Sequence, residues 1–215
     1  MLDNFNNKHL GETCIVIGNG GSLRDVPMDF LRSKPTFGTN RIYLLPGFEP
    51  TYYVAVNYLV IEQCQHEINC LGSEKFIPAG RSKIIHGSNY LLISGYPEFS
   101  SDPQNGFFEG WTVTFVCLEL AFFMGFQTVL LVGVDHRYEF HGSPNTRQLF
   151  RGEDPNHFDP NYFTGKFWHT PDLERSHQSY LLAEKAFRDA GRKIINLTPG
   201  SGTDAFEKQD INSWL

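Results

Sequence analysis

The chain has 215 residues, a length that suits one α/β domain over 1–215 with an embedded lid at 137–171. Hydrophobic residues make up 40 % and charged residues 20 %, the balance of a globular chain rather than a disordered one. A formal net charge of -6 argues against a general nucleic-acid binder, no apolar run is long enough to span a bilayer, and the start of the chain lacks a signal-peptide pattern.

The first element is a short apolar strand at 14–17, which breaks into Gly18, Asn19, Gly20, Gly21 and Ser22. The glycines let backbone pass close to a ligand and adopt positive φ at little cost. Ser22 stands where a helix N-cap is expected. Free N–H groups at such a strand-to-helix turn suit an anion. The spacing is neither the dinucleotide fingerprint nor a Walker A loop, since Leu23 replaces the last glycine and no Gly-Lys-Ser/Thr follows. Glycine turns also occur without any ligand, so the turn by itself stays open between the two readings.

A short helix follows at 25–33, with Pro27 early in it, then a strand at 35–39 leading into Asn40 and Arg41. A third strand at 52–56 ends at Asn57, and a helix is expected at 58–69. Short strands are expected at 75–78 and 83–86, and a Gly-, Pro- and Ser-rich loop at 94–110. The stretch 112–125 is apolar almost all round and reads as a buried helix stopped by Gly125. The run 128–132 reads as a central parallel strand ending at Asp135. The lid, 137–171, is rich in Tyr, Phe, His, Asn and Pro. A helix at 171–190, capped by Gly191, and a strand at 193–197 complete the pattern.

Alternating strands and helices predict a Rossmann-like three-layer α/β sandwich with a mainly parallel sheet and an irregular, aromatic-rich lid before the last helix. Ligands in such folds bind beyond the carboxyl ends of the strands. The polar residues after each strand are therefore expected to meet: Gly18 to Ser22, Asn40 with Arg41, Asn57, and Asp135 to Tyr138. Asp135 is either a ligand-orienting carboxylate or a cap on the next segment. Thr112 and Thr114 are either N-cap residues or part of a donor site at a helix start. Arg41, Arg137, Arg147 and Arg151 offer a bidentate clamp for phosphate or carboxylate. His136, His141 and His157 match no standard zinc spacing, so no metal site is expected. The cysteines form no Cys-x-x-Cys pair, and Cys14 and Cys117 read as small buried hydrophobes, which fits a reduced, cytoplasmic setting.

Four stretches carry a resemblance: Gly18 to Leu23; Thr39-Asn40-Arg41-Ile42-Tyr43; the buried helix running into Gly133-Val134-Asp135; and Trp168-His169-Thr170-Pro171-Asp172. Together they resemble the bacterial CMP-sialic-acid-dependent sialyltransferases and the broad family named after archaeal hydroxymethylpterin diphosphokinase, which includes motility accessory factors. The resemblance implies a CMP-sugar donor held by Gly18, Asn19, Gly20, Ser22, Asn40 and Asn57. It implies donor-phosphate contact from Tyr138 and a general base at His169. The bland reading of His169 is a loop histidine bonded to Asp172. Departures are Gly21 where those enzymes have proline, a different spacing after His169, and no counterpart of their membrane-associating tail. The resemblance implies a nucleotide-sugar and a glycan acceptor as partners and no tightly bound cofactor; the lack of a long apolar run predicts no transmembrane segment. Magnesium and a homo-oligomer stay open. Two other functions also stay open. One is an ATP- and Mg²⁺-dependent pyrophosphokinase using Asp135 with Asp154 or Asp159. The other is a non-catalytic nucleotide- or glycan-binding domain.

Overall fold

The structure, a computed structural model, describes residues 2–95 and 97–215, so residue 96 of the expected loop lies outside it. Eight strands form one sheet in which every pairing is parallel. They are β1 (Thr13–Ile17), β2 (Thr36–Thr39), β3 (Tyr52–Val54), β4 (Glu74–Pro78), β5 (Asn89–Leu91), β6 (Thr128–Val132), β9 (Lys193–Asn196) and β10 (Glu207–Lys208). The order is β10-β9-β6-β1-β2-β3-β4-β5. The chain starts at β1, walks outward to β5, then returns to place β6 on the other side of β1. The strand order reverses between β1 and β6, the switch point where open α/β sheets form a crevice. The Rossmann-like layout expected from the alternation is the one observed.

The period-two alternation of each strand divides the core into two layers. Cys14 and Val16 of β1, with Val129 and Leu131 of β6, face α4 (Val113–Phe123) and α5 (Leu173–Asp189). Ile15, Ile17, Leu130 and Val132 face the opposite side. There they meet α1 (Met28–Arg32), α2 (Tyr58–Gln63), α3 (Gln65–Cys70) and the segment 137–171. Each such fully buried aliphatic side chain contributes roughly 1.5–3 kcal/mol relative to exposure. Helix α4 is buried all round, as its sequence implies, and that includes Glu119. One Glu119 oxygen accepts the Ser100 N–H at 2.7 Å, and the other has no partner. Burial pushes this carboxyl up to about 8.

Several expected elements take a different form. The helix expected at 25–33 is a 3-10 turn, Gly21–Asp25, followed by the one-turn α1. Pro27 sits at the break as the N-cap of α1, where its missing N–H costs nothing. The helix expected at 58–69 is broken at Cys64, whose φ of -125° leaves the helical region. The strand expected at 83–86 is a turn in which the amides of Ile84 and Ile85 both donate to Arg81 O, and Ile85 is wholly buried. The apolar pair there is a buried corner, and the strand falls later, at β5. The tail adds β10, which the sequence reading passed over.

The 137–171 segment contains an antiparallel hairpin, β7 (Arg147–Leu149) with β8 (Phe167–His169). The rest is irregular, as expected. It does more than cover a site, because Phe158, Tyr162, Phe163 and Trp168 are buried in the core against the sheet. Arg24 fastens it, donating to Phe158 O at 2.7 Å and His157 O at 2.9 Å. Cys14, Cys64 and Cys117 are buried thiols, Cys70 is exposed, and all four are unpaired. Among the described residues no helix is long and apolar enough to cross a membrane.

Candidate functional site

A cleft of about 370 Å³ opens at the carboxyl ends of β1, β2, β3 and β6. Of the residues singled out from sequence, Gly18, Asn19, Asn40, Asn57, Thr112, Thr114, Asp135, Tyr138 and His169 line it. The four loop residues that had to meet, Asn19, Asn40, Asn57 and Asp135, share this one cavity. Gly20, Gly21, Ser22 and Arg41 do not line it. Gly21 and Ser22 border a second, shallower depression behind Asp135 and Tyr138.

The glycine turn is built differently from the expectation. None of Gly18, Gly20 and Gly21 has a positive φ. Glycine is needed at two of these positions for close approach. A Cβ on Gly18 would lie 2.3 Å from Gly133 O, and one on Gly20 would lie 2.0 Å from Asp135 Oδ2. Three of the turn's N–H groups are also taken. Gly18 N donates to Val132 O, Gly20 N to Gly133 O, and Ser22 N to Asp135 Oδ2 at 3.1 Å. Asp135 thus caps the segment after β1 across the switch point, and Ser22 is not the N-cap, which is Gly20. The positive φ values sit opposite, at Gly133 (65°) and His136 (48°), and at Asn40 (50°).

The floor of the cleft carries two orphaned acceptors. Asn19 Nδ2 donates to Thr39 O and Thr39 Oγ1 at 3.0 and 2.8 Å, which bolts β1 to β2 and fixes the amide orientation. Its Oδ1 is buried without a partner, and so is Oδ1 of Asn40. A buried acceptor left unpaired costs about 1–3 kcal/mol. Two of them in one cleft call for a ligand that brings N–H or O–H donors. Arg41 points away from them: its Nε donates to the Tyr43 hydroxyl at 3.0 Å, and its guanidinium lies 5.4 Å from the Tyr162 ring. It braces the segment 137–171 instead of facing the cleft.

One wall holds His169, at the end of β8. Asn57 caps α2 through Oδ1, which accepts Leu59 N–H at 2.9 Å. That leaves Asn57 Nδ2 to face His169 Nδ1 at 3.5 Å, and Nε2 to face the Tyr58 hydroxyl at 3.3 Å. Nδ1 is then the accepting nitrogen, and neutral His169 carries its proton on Nε2. Both contacts are long, so either nitrogen is released at little cost. Burial, and then the Arg147 charge, hold the imidazole below its ordinary range, so it is neutral at pH 7. His169 makes no hydrogen bond to Asp172, whose carboxylate accepts from Asn145 Nδ2 and from Arg175 N at the start of α5.

The facing wall comes from the starts of α4 and α5. Thr112 is the N-cap of α4 but makes no side-chain cap bond; its hydroxyl lies 3.4 Å from that of Tyr180. Burial raises the Tyr138 phenol well above its usual range and the Tyr180 phenol above it, so both stay protonated donors. Tyr58, Trp111 and Tyr180 also line the cleft and were missed from sequence. Tyr180 was legible in principle, because Asp172, Ser176 and Tyr180 recur every four residues along one face of α5. Of the histidines weighed for a metal, His157 is hydrogen-bonded to Asp154 at 2.9 Å and stacked on Tyr162, and His136 lies against His177. No group of three or more His, Cys, Asp or Glu among the described residues is placed to hold a metal ion. Asp154 is committed to His157 and Asn156 N, and Asp159 to Asn161 N.

No protein-family model matches the chain, and no curated protein matches it in sequence. Solved structures do. The MAf glycosyltransferase from Magnetospirillum magneticum AMB-1 superposes with a TM-score of 0.63 at 15% identity, over 95% of this chain and 34% of that one. This chain therefore spans about a third of that protein's length. The sialyltransferase CstII from Campylobacter jejuni, solved with the substrate analogue cytidine-5'-monophosphate, superposes with a TM-score of 0.52 at 15% identity, over 93% and 85% of the two chains. The chain shares the fold of these two proteins.

Proposed function

We propose that the protein is a nucleotide-sugar-dependent glycosyltransferase of the sialyltransferase-like type, moving a sugar from a CMP-sugar to a glycan hydroxyl. The observation that carries this reading is the meeting of Asn19, Asn40, Asn57 and Asp135 with His169 in one cleft at the switch point of this fold. The two orphaned acceptors, Asn19 Oδ1 and Asn40 Oδ1, suit the donors of a ribose or a cytosine amino group. Thr112 and Thr114 line the same cleft, at the start of α4. Gly18 lets the turn approach closely, and Gly20, Gly21 and Ser22 support it from behind.

The chemistry needs a base for the acceptor and a stabiliser for the leaving phosphate. The acceptor oxygen bonds to the anomeric carbon of the donor sugar. The bond from that carbon to the phosphate oxygen breaks with its electron pair, releasing CMP. The acceptor proton passes to His169 Nδ1, which exchanges its long contact with Asn57 for the acceptor hydroxyl. Tyr138, kept protonated by burial, donates to the phosphate as its charge grows. The pyrophosphokinase alternative gains no comparable support, since the Asp154 and Asp159 carboxylates it calls for already hold their own loops. The purified protein is expected to hydrolyse a CMP-sugar slowly, water standing in for the acceptor. Release of CMP, followed by chromatography, checks this; a protein that binds CMP and never releases it from a CMP-sugar is a binding domain.

A further inference from the structure

The mouth of the cleft has a feature the donor reading does not use. Tyr58, Trp111 and Phe167 line the cleft and are also substantially exposed, at 43%, 41% and 38%. Each carries a guanidinium over its ring: Arg81 at 5.7 Å from Tyr58, Arg175 at 5.2 Å from Trp111, and Arg147 at 4.1 Å from Phe167. Aromatic rings at a cleft mouth suit the apolar face of a pyranose, and stacked guanidinium groups are held ready for an anion with little entropy left to lose.

The three arginines differ in charge balance. Arg81 pairs with Glu62 at 3.3 Å and Arg175 with Asp172 at 3.6 Å. Arg147 has no carboxylate within ion-pair reach among the described residues. It lies directly across the β7–β8 hairpin from His169, as its register partner. Of the carboxylates that line the cleft, Glu109 has its charged form disfavoured by burial. A free, stacked cation thus sits beside the base in a chain whose overall charge is -6.

We infer that Arg147 and the Phe167 ring form an acceptor subsite for an anionic saccharide, one carrying a carboxylate or phosphate near the hydroxyl that attacks. This rests on the glycosyltransferase reading for its meaning as an acceptor site, but not for its binding chemistry. Arg147 binds the anion bidentately, Phe167 and Tyr58 flank the ring, and the attacking hydroxyl is brought to His169.

The test is titration of the CMP-loaded protein with D-glucuronate, D-glucose 6-phosphate and D-glucose, followed by NMR shifts of the His169 and Phe167 side chains. CMP binding is measured first and separately, so failure of the donor reading shows there and the sugar titrations are then run on the free protein. One or both anionic sugars are expected to bind at least about tenfold more tightly than glucose, as one charge-assisted contact implies. Which of the two wins assigns carboxylate or phosphate. Arg147→Gln is expected to erase the preference without changing CMP affinity, and Arg147→Lys to restore part of it. Equal binding of all three sugars, no binding of any, or an anion preference that survives Arg147→Gln overturns the inference.

Discussion

Replacing His169 with alanine is expected to lower turnover by about 10²–10⁴-fold while CMP still binds. The imidazole sits on a hairpin that packs over the cleft, and it contributes to none of the orphaned acceptors on the floor. Its contacts to Asn57 and Tyr58 are long, at 3.5 and 3.3 Å, so their loss should change stability little. In the proposed mechanism the neutral form is the base, and the pKa is depressed by burial first and by Arg147 second. The rate should therefore stay flat as pH falls through neutrality and drop only below the ordinary histidine value of about 6.5. A steady-state pH profile for the wild type, with calorimetric CMP binding to His169→Ala, checks both parts. Full activity in the alanine variant removes His169 from the mechanism.

The largest effect on stability is expected at Gly18. An alanine Cβ there meets the Gly133 carbonyl oxygen at 2.3 Å and its carbon at 2.8 Å, both backbone atoms just past the carboxyl end of β6. Neither can rotate away, so β1 and β6 must part where the cleft begins. The cost should be about 3 kcal/mol, the upper end for overpacking, read as a lower denaturation midpoint. Gly20→Ala makes a useful contrast, because the three atoms nearest its Cβ all belong to the Asp135 side chain. Asp135→Ala removes two of the three clashing atoms. The Gly20→Ala, Asp135→Ala pair should therefore be more stable than the sum of its single changes by about 1 kcal/mol or more, while Asp135→Ala gives Gly18→Ala no relief. An unchanged midpoint for Gly18→Ala would mean that the strands do not approach as described.

The features legible in the sequence were those with a strong local cause. The apolar runs at 14–17 and 128–132 are buried on both faces, so no pairing outside the sheet centre suits them. Strand alternating with helix then fixed the parallel order, and the polar residues at the carboxyl ends followed. The broken elements were not legible because their causes are tertiary. Cys64 leaves the helical region inside a sequence that reads as one helix, and Ile84-Ile85 has the composition of a strand but fills a corner. The glycine turn misled for a similar reason. Glycine is needed at Gly18 and Gly20, but the neighbours that require it, Gly133 and Asp135, lie more than a hundred residues away. Arg41 read as a phosphate clamp; the ring of Tyr162, brought in by 137–171, claims it instead. Trp111 and Tyr58 gave no local signal beyond exposed aromatic character, and only the cavity shows what they border.

The most direct measurement is a melting curve recorded across a panel of nucleotides. A ligand that binds only the folded state stabilises it in proportion to the logarithm of its concentration over Kd. CMP and CDP at millimolar concentration are expected to raise Tm clearly, AMP much less, and Asn19→Ala or Asn40→Ala to reduce the cytidine shift. A curve that no cytidine nucleotide moves, or one that AMP moves equally, contradicts the assignment of this cleft to a CMP-sugar donor.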